Sequence, residues 1–155
     1  MDAPSLIDTH CHLDAGPFAD EPVAELLARA AAAGVGCLVT IGTDLDSSRA
    51  AVGLAEAHAP VFATVGVDPS EAADYGPATR AALRDLAAHP KVLAIGEIGL
   101  DYHWMVSPPE QQALVFRDQL ALAGELDLPV VIHCREAHAD TERILRAWAA
   151  ERYAA

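Results

Sequence analysis

A chain of 155 residues with 52% hydrophobic content is long enough for one domain with its own core, and its longest apolar run, residues 30–39, holds two glycines and falls short of the roughly 20 residues that cross a bilayer. Ten basic residues against 23 acidic ones leave a net charge of −13, with Lys91 the single lysine, which excludes a broad phosphate-tracking surface; a nucleic-acid substrate has to be attracted locally, by bound cations and a few arginines such as Arg135. Cys11, Cys37 and Cys134 are an odd number without framework spacing, and Met1-Asp2-Ala3-Pro4 places no basic stretch before an apolar one, so a reduced, cytoplasmic setting without export or membrane association is expected.

Five short apolar runs alternate with longer helical patterns, the pattern of βα units around a parallel sheet. The expected strands are Leu6 to Asp8, Cys37 to Ile41, Val61 to Val67, Val92 to Glu97 and Val130 to His133. None alternates apolar with polar residues, which predicts strands covered on both faces. Asp20 and Pro22 open the first helix, Val23, Leu26, Leu27 and Ala30 follow a 3.6-residue period, and Gly34 stops it. Ser107-Pro108-Pro109-Glu110 reads as a capping box opening a helix whose stripe is Ala113, Phe116, Leu120 and Ala123. A last helix is expected from about Asp140 to Trp148, with Arg143 and Arg146 late in it, matching the helix dipole. The fold expected is therefore α/β: a single domain over residues 1–155 with about five βα units of an incomplete TIM-type (β/α)8 barrel around a parallel sheet.

The candidate chemistry sits at strand ends. His10 and His12 in Asp8-Thr9-His10-Cys11-His12-Leu13-Asp14 point the same way because strand side chains alternate, and two imidazoles at that spacing can chelate one metal ion. The C-terminal end of a barrel strand is where such active sites are built. Glu97 ends an apolar run, where burying a lone carboxylate is costly; a metal ion, or an ion pair with Arg135, would resolve that. The fifth run ends in His133. Three strands delivering a ligand-type side chain at the same end make one site.

Those motifs resemble the TatD family of metal-dependent deoxyribonucleases, within the wider amidohydrolase-like barrel hydrolases. The resemblance runs through residues 8–14, through Gly96-Glu97-Ile98-Gly99-Leu100-Asp101-Tyr102, through Gln119-Leu120-Ala121-Leu122-Ala123 and through Leu128-Pro129-Val130-Val131-Ile132-His133. It implies a hydrolase of DNA phosphodiesters acting from a free end, with two divalent metal ions, Mg, Mn or Zn. His10 and His12 would bind one ion, Glu97 would bridge to the second as the catalytic carboxylate, and His133 would bind the second, with a water or hydroxide between the ions as nucleophile. Two nearby cations would lower the pKa of that water and screen a phosphodiester that an acidic protein otherwise repels.

Two departures from the family pattern stand out. The family's Gly-x-His-Pro motif, whose histidine contacts the substrate phosphate, is here Gly66-Val67-Asp68-Pro69, so a carboxylate takes the substrate position. Family members also continue through three further strands with another ligand histidine and a catalytic aspartate, while this chain reads Glu151-Arg152-Tyr153-Ala154-Ala155 at its end. The isolated chain is accordingly expected to lack activity and to self-associate through open sheet edges. Asp101 is a candidate for binding substrate or orienting a ligand, and Arg135 for meeting the substrate phosphate. His103 and Trp104 would line the mouth of the site, unless Trp104 covers the core. Cys11 and Cys134 read as packing thiols, and His58, His89 and His138 as helix-end residues. Two competing readings are a hydrolase of another small phosphoester or cyclic amide, and a non-catalytic remnant with a structural or binding role.

Overall fold

A computed structural model of the chain describes residues 6–13, 15–18 and 20–152, so Asp14 of the first motif and both chain termini lie outside it. Strands β1 (Leu6–Cys11), β2 (Val35–Ile41), β3 (Val61–Val65), β4 (Val92–Asp101) and β5 (Val130–Arg135) alternate with helices α1 (Val23–Ala32), α2 (Leu45–Ala57), α3 (Pro77–Ala87), α4 (Pro109–Leu126) and α5 (His138–Arg152). The strands form one sheet in the order β1-β2-β3-β4-β5, and every neighbouring pair is parallel. These are five consecutive units of an eight-unit β/α barrel, the architecture expected from the alternating pattern.

The three inner strands explain the core. Val61, Ala63, Val65, Ile95, Ile98 and Leu100 are fully buried, and Leu83 from α3 with Phe116, Leu120 and Leu122 from α4 close over them. Expected coverage on both faces fails at β1, whose residues are mostly exposed; Leu6 is 60% and Ile7 62% accessible. Both outer strands, β1 and β5, are edges among the described residues, and only the inner three have a neighbour on each side.

Local details depart from the expected ones for tertiary reasons. Ser107 does not cap α4: Pro108 occupies the N-cap position without a side-chain bond, and the buried Ser107 hydroxyl donates instead to the Ser70 carbonyl at 3.2 Å. Pro22 is likewise the N-cap of α1 rather than its first residue, and Asp20 makes no cap bond. β4 continues past Glu97 to Asp101, β3 stops at Val65, and α5 runs from His138 to Arg152, longer than expected at both ends. Open edges with exposed apolar residues invite pairing between copies.

Candidate metal centre

The strand ends bring together the side chains expected as candidate ligands. The imidazoles of His10 and His12 lie on one side of β1 with ring centroids 5.4 Å apart. Cys11 between them turns toward the core and donates its thiol to the Val39 carbonyl at 3.4 Å. Burial, with Asp8 adding to it, pushes the Cys11 thiol up to about 12, so this thiol packs and does not ionise at neutral pH. One ligand atom each from His10, His12 and Glu97 fall within 4.8 Å of one another, a spacing that fits a single cation.

Glu97 reaches this point through an irregularity in β4. The pairing with β5 skips between Ile95 and Ile98, a bulge that re-aims the side chain between them. The Glu97 N–H donates to the Gly42 carbonyl at the end of β2, 2.8 Å away. Gly66 at the end of β3 permits this crossing, since a Cβ there would stand 2.7 Å from the Gly96 carbonyl carbon. The carboxylate then divides its oxygens: Oε2 is 3.5 Å from His10 Nε2, and Oε1 is 3.1 Å from His133 Nδ1. No ion pair joins Glu97 to Arg135 among the described residues; its carboxylate faces the His10 and His133 imidazoles instead.

His133 stands between two carboxylates, with its Nε2 2.9 Å from Asp101 Oδ2. Asp101 is 3% exposed, and its Oδ1 accepts the N–H groups of His103 and Trp104 at 2.9 and 2.8 Å. Burial works to raise its pKa, but the Trp104 N–H, His133 and the His103 N–H outweigh it and hold the carboxyl below its ordinary value. Both oxygens are therefore engaged within the protein, one of them by the His133 imidazole.

Asp68 is half-buried beyond the end of β3. Its Oδ1 accepts the Ser70 and Glu71 N–H groups at 2.7 and 3.1 Å, the bonding of a turn-forming aspartate. Burial raises its pKa against the pull of those N–H groups and of His133, while Glu97 adds to the rise. Arg135, at the exposed end of β5, lies over the Trp104 ring, its guanidinium carbon 5.3 Å from the ring centroid. Trp104 is 63% exposed and does not cover the core.

Two residues that the strand-end reasoning passed over hold this face in place. Gln112 and Gln119 of α4 are fully buried. Gln119 accepts the Val67 N–H and donates to the Val67 carbonyl, both at 2.8 Å. Gln112 does the same to Asp101, at 2.8 and 2.9 Å, and donates a further bond to Ser107. Each amide acts as a short strand partner for the backbone beside a site residue. The available signal was two amides seven residues apart on the core stripe of a helix, where polar side chains need partners.

The TatD-related DNase family model matches residues 7–155. A metal-dependent hydrolase of Bacillus subtilis, YabD, whose function is uncharacterised, is 42% identical over 146 residues, spanning 94% of this chain and 57% of that protein. The 3'-5' ssDNA/RNA exonuclease TatD of Erwinia tasmaniensis is 46% identical over 125 residues, spanning 80% and 48%. The crystal structure of the TatD homologue YJJV of Escherichia coli superposes with a TM-score of 0.83 at 33% identity over 92% of this chain and 55% of that one. A TatD-family hydrolase of Entamoeba histolytica gives 0.85 at 23% identity over 95% and 55%, a likeness of fold. The chain spans about half the length of the curated relatives it matches. With candidate ligand side chains gathered at the strand ends and the match running across nearly all of its length, this chain belongs to the TatD-related DNase family.

Proposed function

We propose that this chain supplies the first half of the catalytic centre of a metal-dependent hydrolase that cleaves phosphodiester bonds of single-stranded DNA from a free end. The observation that carries the reading is the convergence of His10, His12 and Glu97 on one point, with His133 on the other side of the same carboxylate. This donor set of three imidazoles and one carboxylate suits Mg, Mn or Zn, and we propose two ions. When bound, they would supply Lewis-acid stabilisation at phosphorus and lower the pKa of the attacking water. The names of the relatives, one of them an exonuclease of single-stranded DNA and RNA, support the choice of substrate.

The chain's own groups would then divide the work. His10 and His12 would hold one cation and His133 the other, with Glu97 contributing its carboxylate. The His133 Nε2 faces Asp101 Oδ2 at 2.9 Å, so a proton held there would point at that carboxylate and fix the orientation of the ring as a ligand. Asp101 is thus proposed as an orienting group rather than a substrate contact, and Arg135 as a cation for the substrate phosphate. Asp68, whose Oδ1 is held in a turn by the Ser70 and Glu71 N–H groups, is proposed to stand near the substrate, where its charge would weaken phosphate binding. We further propose a single domain over residues 1–155, a cytoplasmic setting in keeping with three free thiols, and no turnover by this segment alone, since its relatives extend over about twice its length.

Calorimetric titration with Mn2+ is expected to show binding that Glu97→Gln abolishes and that Asp101→Asn weakens about 10- to 100-fold. Joining the chain to the C-terminal segment of the Bacillus relative is expected to yield Mn2+-dependent cleavage of a labelled single-stranded oligonucleotide, lost in the Glu97→Gln form. A joined protein that binds Mn2+ but cleaves no phosphodiester would overturn the nuclease reading.

A further inference from the structure

The loop after β4 presents three large apolar side chains to solvent in succession: Trp104 at 63%, Met105 at 48% and Val106 at 67% exposure. Solvent-facing apolar clusters of this kind mark binding surfaces more often than chance. Its position is fixed from both sides. The Trp104 and His103 N–H groups donate to Asp101 Oδ1, whose partner oxygen holds the His133 imidazole. The His103 ring meets Trp104 edge-on at 4.7 Å and is itself 2.8 Å from Glu136. The indole therefore stands two hydrogen bonds away from a metal-ligand imidazole, on a loop anchored at Asp101.

Its charge environment is also unusual for this protein. In a chain of net charge −13, the guanidinium of Arg135 lies over the indole and has no carboxylate partner among the described residues. An exposed aromatic face backed by an arginine is the combination that single-strand-binding proteins use. Every base has a π face to stack on, the cation attracts the strand, and stacking does not discriminate strongly among sequences.

We propose that Trp104, with Arg135, forms a nucleobase-stacking subsite of the metal centre, occupied by a base of the single strand next to the bond being cut. The proposal rests on the phosphodiester reading above and deepens it. It makes Trp104 a substrate-positioning residue, and it explains how an acidic protein keeps hold of an unpaired strand. A duplex, whose bases are already stacked, would not use the subsite.

The test is fluorescence anisotropy of labelled five-residue strands with the full chain in Mn2+ at low ionic strength. One strand is oligothymidylate; the other has the same phosphates with abasic sugars. The base-bearing strand is expected to bind at least about fivefold more tightly. Trp104→Ala should erase that difference while leaving the abasic strand unaffected, and Trp104→Phe should restore most of it. Trp148→Phe, at a tryptophan stacked against Arg152 on α5, should change neither. Equal binding of the two strands by the unmodified chain would overturn the subsite and leave the phosphodiester reading standing. Binding of neither strand would also overturn the subsite, while the phosphodiester reading stands or falls on cleavage by the joined protein. A several-degree fall in melting temperature on Trp104→Ala would make the indole a packing residue and also overturn the proposal.

Discussion

Gly99→Ala is expected to be among the most damaging single-methyl changes in this protein, lowering stability and metal affinity together. Gly99 pairs with His133 across β4 and β5. A Cβ at Gly99 would stand 1.9 Å from the His133 carbonyl oxygen, and the residue's φ of +151° is one that side chains disfavour. A tolerable carbon–oxygen contact begins near about 3.3 Å, so β5 would have to retreat by more than roughly 1 Å. That retreat carries the His133 imidazole away from Glu97 and Asp101, which it meets at 3.1 and 2.9 Å. Overpacking of this order costs about 1 to 3 kcal/mol or more, and a displaced ligand should weaken Mn2+ binding at least about tenfold. Gly53 is the matching control. It lies in the exposed face of α2 with nothing within 4 Å of an added Cβ, so Gly53→Ala should be neutral or stabilise by up to about 1 kcal/mol. Thermal melts and Mn2+ calorimetry on both variants check the pair. An unchanged melt and unchanged affinity for Gly99→Ala would refute the close approach of β5.

The candidate ligands were legible because strand geometry is local. Alternation puts His10 and His12 on one side of β1 whatever surrounds them, and each ligand closes an apolar run at the same end of a parallel sheet. The resemblance added an expectation that spacing could not, a Glu97 shared between two sites, and in the structure its two oxygens do face different imidazoles. What stayed hidden depended on residues far apart in sequence. Ser107 satisfied the pattern of a capping box, yet its hydroxyl found the Ser70 carbonyl 37 positions away. The exposure of β1 could not be read from its apolar composition, because that composition says what a strand prefers to touch and not whether a neighbour lies there. Trp104 posed the same ambiguity: an indole beside an apolar strand reads equally as cover for a core or as a surface platform, and only the packing separates the two.

Gln119→Met is expected to lower the melting temperature by about 10 °C, and Gln112→Met by at least as much. Methionine keeps the volume and length of glutamine, so the change isolates the amide's hydrogen bonds from any cavity. Losing Gln119 strands both the N–H and the carbonyl of Val67, a residue only 3% exposed. Each buried orphan costs about 1 to 3 kcal/mol, and a chain of this size loses roughly 2 to 4 °C for each of those kcal/mol. Losing Gln112 strands the Asp101 backbone groups and one bond to Ser107. The neighbouring Gln111 makes a single bond from a half-buried position, to the Ala72 carbonyl, so Gln111→Met should shift the melt little. The two buried amides differ in what they hold, and this separates a role in the site from a role in the fold. Gln112 secures the residue that orients His133, so Gln112→Met should weaken Mn2+ binding even at temperatures where the variant is fully folded. Gln119 secures the residue before Asp68, outside the proposed ligand set, so Gln119→Met should leave Mn2+ affinity near its original value. Equal losses of metal affinity in both variants would make the amides general supports of the sheet, with no selective part in placing the metal ligands.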